Sequence, residues 1–208
     1  VFTGVDARAF VSGTDIGEFR AFAGADDGIA YEARIETVIA ALEAIRVPVI
    51  AAIAGACTGG GVSIAGACDL RIGAPSARIG VPIARTLGNC LSLRNVARVA
   101  QIVGPAAVKA LLLTGKLLDA AEAHEAGFLN EVVDADANLH VRAQALAEEI
   151  VALAPLTLRA SKEMCRRLSA ATALPPDDDL IRACYGSADF REGVTAFLTK
   201  ARPHWTGR

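Results

Sequence analysis

Aromatic residues are scarce in this sequence: they make up 5% of its 208 residues, with two tyrosines and one tryptophan, and methionine occurs once. The hydrophobic share of 53% is therefore carried by Ala, Val, Ile and Leu, which fits an α/β protein with one substantial core. Charge of one sign is lacking too. The formal net charge is −2 and no basic cluster is dense, so nothing suggests a nucleic-acid partner. Three dispersed histidines, His124, His140 and His204, supply no metal site. The five cysteines (57, 68, 90, 165 and 184) are scattered, odd in number and without metal-ligand spacing. They read as reduced thiols of a cytoplasmic protein. Residues 47–68 are strongly apolar, yet five glycines, a proline, Thr58 and Ser63 interrupt them. That excludes a lipid-facing helix, and no membrane partner is expected.

The most informative feature lies inside that stretch. Val47-Pro-Val-Ile-Ala-Ala-Ile-Ala54 reads as a buried strand, and Gly59-Gly60-Gly61 follows where a helix over 59–67 should begin. Consecutive glycines at a helix N-terminus let free N–H groups approach an anion, or an oxygen that becomes one during reaction. Elsewhere, Val1–Gly4 reads as the end of a strand, and a chain starting there is expected to lack upstream residues. Asp15 and Glu18 have the form of a capping box opening a helix at Ile16. Residues 24–28 read as a loop, Ile29–Ile45 as a helix, Asp69–Gly73 and Leu129–Val133 as strands. Residues 92–103, 106–113 and 120–126 read as helices, and the chain from Leu139 onward as helical, divided at Pro155 and Pro175-Pro176. Strands alternating with helices imply a parallel sheet.

Several motifs then occur in a telling order: Phe10-Val-Ser-Gly-Thr-Asp-Ile16, the strand to Gly55, Thr58-Gly-Gly-Gly61, Cys68-Asp-Leu-Arg71, Ala77-Arg-Ile-Gly-Val-Pro82, Thr114-Gly115, Glu122-Ala123-His-Glu-Ala-Gly127 and Asp189-Phe-Arg-Glu-Gly193. Together they resemble the crotonase, or enoyl-CoA hydratase/isomerase, superfamily over nearly the whole chain. The resemblance implies a spiral of ββα units over residues 1–134, preceded in the family by a further strand–helix–strand. It also implies a helical region, 135–208, serving trimer or hexamer assembly and covering coenzyme A. The implied substrate is an acyl-CoA thioester, with no cofactor beyond the coenzyme A it carries. Its carbonyl would sit between the backbone N–H groups of Thr14 and Gly60, which stabilise an enolate. Gly59, Gly61, Ser63 and Ile83 would border the substrate, and Lys200 and Arg202, near Trp205, would meet the nucleotide end.

The chain departs from that pattern at the acids. Hydratases of the family use two glutamates, and the corresponding positions here are Ser63 and Ile83. Neither can serve as a general base near neutral pH, so two-glutamate hydration is not expected. Asp26, Asp27, Tyr31 and Glu32 fall in or just after the loop behind the first N–H segment and read as solvated surface. Glu18 and Asp15 read as helix caps. Two alternatives remain: a non-catalytic acyl-CoA binder, and a serine hydrolase, because Gly61-Val-Ser63-Ile-Ala65 nearly matches a nucleophile elbow.

Overall fold

The computed structural model describes residues 1–171 and 173–208. Three successive turns of the chain repeat one plan: a strand in a larger sheet, a strand in a smaller sheet, then a helix. The first turn runs β1 (Phe2–Thr3), β2 (Ala9–Val11), a 3₁₀ helix (Ile16–Ala21) and α1 (Ala25–Glu43). The second is β3 (Ile50–Ile53), β4 (Ala56–Thr58) and α2 (Gly60–Ala67); the third is β5 (Leu70–Gly73), β6 (Arg78–Gly80) and α3 (Ile83–Thr86). Next come α4 (Leu93–Thr114), α5 (Ala120–Glu125), β7 (Glu131–Val132), α6 (Leu139–Val151), α7 (Pro155–Ala170), α8 (Asp178–Tyr185) and α9 (Ala188–Thr199). The larger sheet has the order β1-β3-β5-β7 and the smaller β2-β4-β6, and every pairing is parallel. This is the ββα spiral that the resemblance implies.

The uninterrupted apolar run of β3 has a simple cause. Both faces of a parallel sheet are covered, so no position needs to be polar. Ala51 and Ile53 join Val62 and Ile79 in the core between the sheets and helices. Ile50 and Ala52 point the other way, where Leu139 and Ala143 of α6 cover them. A third apolar cluster joins Phe19 of the 3₁₀ helix and Leu87 to Ile181 and Tyr185 of α8 and Phe190 and Val194 of α9.

Some sequence expectations need correction. Residues 25–28 are the first turn of α1, because Asp27 accepts hydrogen bonds from the N–H groups of Ala23 and Gly24 at 2.7 and 3.0 Å and caps the helix. Asp15 does cap, accepting from Gly17 N–H at 2.8 Å, but the helix is 3₁₀. Glu18 does not reciprocate and pairs with Arg34 at 3.1 Å. The two helices expected over 92–113 are the halves of α4, whose length and apolarity would suffice to cross a membrane. They are divided by Gly104, at φ 79°, and Pro105. Within the first half, Arg98 is buried and pairs with Glu43 at 2.6 Å and Glu36 at 3.2 Å.

Candidate active site

Because the smaller sheet is parallel, all three of its strands end on the same edge, and each ends in a segment singled out by sequence. β2 leads to Ser12-Gly13-Thr14, β4 to Gly59-Gly60-Gly61 and β6 to Val81-Pro82-Ile83. Two hydrogen bonds hold the strand ends together: Thr58 Oγ1 donates to Ser12 O at 3.0 Å, and Gly59 N–H donates to Gly80 O at 3.1 Å. The glycines are not interchangeable. Gly59 turns the chain at φ 56°, a left-handed conformation that a side chain would strain. Gly61 lies against β2, where a β-carbon would come within 2.1 Å of Val11 O. A β-carbon on Gly60 would instead face open space.

That space is a cavity of about 70 Å³ lined by Val11, Gly13, Thr14, Ile35, Val38, Ile39, Gly60 and Ile64. Among the described residues, neither the Thr14 nor the Gly60 N–H donates to a protein acceptor. Gly60 is the first residue of α2, so its N–H also carries the positive end of the helix dipole. At the far end, buried Arg71 donates to the Cys68 and Ala65 carbonyls at 2.6 and 3.2 Å and to Phe128 O at 2.7 Å. The helix thus begins at the cavity with Gly60, while a cation satisfies its C-terminal carbonyls.

Thr14 and Gly60 are brought together at this cavity, with Gly59 and Gly61 flanking it. Ser63 and Ile83 are buried and do not line it. Ser63 Oγ has no hydrogen-bond partner and no solvent exposure. A serine nucleophile needs a base within hydrogen-bond reach, and this hydroxyl touches none. An unpaired buried hydroxyl costs about 1–3 kcal/mol. Ser63→Ala is accordingly expected to raise stability by about 1 kcal/mol, read from denaturant midpoints at constant slope; a loss of that size would show that the hydroxyl has a partner. Lys200 and Arg202 are exposed beyond α9 and do not line the cavity.

Two residues expected on a solvated loop are elsewhere. Glu32 is 5% exposed within α1; its carboxylate accepts from Tyr185 OH at 2.7 Å and from Ser92 N–H at 3.0 Å, and burial raises its pKa. Tyr31 is half-buried, with its hydroxyl 2.5 Å from Thr14 Oγ1. The signal was available in the helical period. Tyr31, Ile35 and Val38 share one face of α1 at spacings of four and three, and the latter two line the cavity.

The sequence pattern of the enoyl-CoA hydratase/isomerase family matches residues 1–208. The chain belongs to that family. The "Probable enoyl-CoA hydratase" of Mycobacterium tuberculosis is 35% identical over 211 residues, covering 100% of this chain and 80% of the relative. Among solved structures, an enoyl-CoA hydratase/carnithine racemase from Magnetospirillum magneticum superposes with a TM-score of 0.77 at 34% identity, covering 99% of this chain and 77% of the other. A methylmalonyl-CoA decarboxylase in complex with 2-nitronate-propionyl-CoA superposes with a TM-score of 0.86 at 28% identity, covering 96% and 77%. An enoyl-CoA hydratase/isomerase fold thus carries, in this chain, a mainly apolar cavity lined in part by two residues, Thr14 and Gly60, whose N–H groups have no acceptor among the described residues. Among the described residues, no carboxylate borders it.

Proposed function

We propose that this protein binds a short acyl-CoA thioester, seats its carbonyl oxygen between the N–H groups of Thr14 and Gly60, and stabilises the enolate formed there. The observation that carries this is that Thr14 and Gly60, whose N–H groups have no acceptor among the described residues, line one cavity that no carboxylate borders. A volume of about 70 Å³ leaves room for roughly five water-sized groups, which suits an acyl group of a few carbons.

How the enolate forms follows from what borders the cavity. Removing an α-proton requires a base, and the lining offers none. Loss of carbon dioxide from an α-carboxyacyl thioester requires no base: the bond to the carboxylate breaks and its electron pair passes into the enolate. An apolar wall of Val11, Ile35, Val38, Ile39 and Ile64 desolvates the carboxylate and favours neutral carbon dioxide over the anion. The structural neighbour that is a methylmalonyl-CoA decarboxylase is consistent with this. We therefore infer a decarboxylation rather than a hydration. Lys200 and Arg202 are proposed to meet the nucleotide phosphates. The exposed Leu156, Met164 and Leu168 of α7, a helix with no buried residue, supply apolar surface for trimer assembly.

The test supplies methylmalonyl-CoA and crotonyl-CoA separately. Formation of propionyl-CoA and carbon dioxide is expected, with no hydration of crotonyl-CoA. Tight binding of both thioesters without turnover would favour the non-catalytic binder, which the same lack of carboxylates also suits. Hydration would defeat the proposal.

A further inference from the structure

After carbon dioxide leaves, the enolate must receive a proton at its α-carbon, and the cavity has few groups to give one. Of the eight lining residues, Thr14 has the only polar side chain. We propose that the hydroxyls of Thr14 and Tyr31 form a proton relay to that carbon, an inference that rests on the enolate reading above.

The geometry of a single threonine suits the task. Its N–H and its hydroxyl are separated by three bonds, and the oxygen and α-carbon of an enolate by two. One residue can therefore hold the oxygen with its backbone while its side chain faces the carbon. Tyr31 completes the pair. With Tyr31 donating across the 2.5 Å contact to Thr14 Oγ1, the Thr14 hydrogen is free to point into the cavity. The Tyr31 ring packs among Phe19, Phe22 and Tyr185, with centroids 5.0, 6.1 and 6.1 Å away, which holds the ring in place. Arg34 lies 5.6 Å from the ring centroid, and the Glu18 paired with it, neighbouring Glu32 and the Tyr185 hydroxyl complete the ionisable surroundings. Burial raises the Tyr31 pKa above its ordinary value of 10.0. The phenol is thus protonated at neutral pH and acts as an acid, matching a reaction that needs a donor and no base.

The step balances. The Thr14 hydroxyl proton forms the new bond to the α-carbon while Thr14 Oγ1 takes the phenolic proton of Tyr31. The negative charge that began on the substrate carboxylate, and passed to the enolate, ends on the Tyr31 phenolate. A water molecule then reprotonates the phenolate, leaving hydroxide.

The experiment turns over methylmalonyl-CoA in D₂O and reads the configuration of the deuterium in the propionyl-CoA formed. A relay fixed on one side of the enolate delivers deuterium to one face, so wild-type product should carry a single configuration. Thr14→Val keeps the backbone N–H and the side-chain shape but loses the hydroxyl; Tyr31→Phe loses the donor behind it. Both are expected to give a near-equal mixture of configurations and a kcat about 100-fold lower, with KM within about threefold because the N–H pair is intact. Thr14→Ser restores the hydroxyl and should recover the single configuration. Single-configuration label at an unchanged rate in both Thr14→Val and Tyr31→Phe would overturn the relay alone. Failure of the wild-type protein to decarboxylate would overturn the enolate reading, and the relay with it.

Discussion

Replacing Gly60 by proline should lower kcat/KM for methylmalonyl-CoA by about 10²–10³-fold, the cost of losing one oxyanion donor or about 3–4 kcal/mol. The substitution is unusually clean for a backbone change. Gly60 is the first residue of α2, the helical position where proline is best tolerated because its N–H has no partner within the helix. Space lies open where the β-carbon would go. Gly59 precedes it with φ 56° and ψ −121°, the mirror image of the extended conformation that a residue before proline adopts and open to glycine. The fold therefore loses little. The site loses the hydrogen proposed to meet the thioester oxygen and receives a ring methylene in its place. Gly60→Ala, which keeps the N–H, should cost far less. Decarboxylation rates for both variants, compared at equal folded fraction, decide the matter. A proline variant within tenfold of wild type would move the oxyanion site away from α2.

How legible the site was depended on what each residue has to do. The glycine segment could be read because tight backbone geometry leaves its mark as glycine: Gly59 for its left-handed turn and Gly61 for its approach to Val11. Strand β3 could be read because burial on both faces makes it uniformly apolar. Strands β4 and β6 could not. Each is three residues long, too short to show a period, and each is followed by glycine or by Val81-Pro82, which resembles a loop. The start of α1 was hidden by two glycines that looked like breakers. Gly28 sits within the helix for a different reason: a β-carbon there would come within 2.3 Å of the Tyr185 ring. No local pattern announces a partner in α8.

The same distance in sequence concealed the polar residues. Glu32 looked solvated because charged residues near a presumed loop usually are, yet it is buried against Tyr185, 153 positions away. Tyr31 was separable from the surface by helical period alone. Its contact with Thr14, 17 positions earlier, was not. The backbone geometry of the candidate site was thus written locally, whereas the placing of its side chains depends on contacts between elements.

Arg71→Met should be the most damaging substitution outside the cavity, lowering stability by about 3 kcal/mol. Arg71 is 7% exposed and has no carboxylate within salt-bridge distance among the described residues. Its guanidinium is instead shared among the carbonyls of Ala65, Cys68 and Phe128 and lies 5.6 Å from the Phe128 ring centroid. Burial lowers its pKa, but an arginine remains cationic. Methionine fills most of the volume but donates to none of the carbonyls; Ala65 O keeps the Cys68 N–H at 3.2 Å, while the Cys68 and Phe128 carbonyls lose their side-chain donor, at about 1–3 kcal/mol for each buried acceptor left unpaired. Relief from burying a charge offsets part of the sum. For a chain of this size, about 3 kcal/mol corresponds to a fall in Tm of roughly 6–12 °C. Arg71→Lys should lie between, since an ammonium lacks the planar fork that reaches three carbonyls on two segments. Denaturant melts measure the loss, and methylmalonyl-CoA turnover below the transition shows its consequence. Two of the three carbonyls belong to the end of α2, whose other end holds the Gly60 donor, so the variant should also lose activity while still folded. Full activity in a folded Arg71→Met protein would mean that α2 holds its donor in place without the cation behind it.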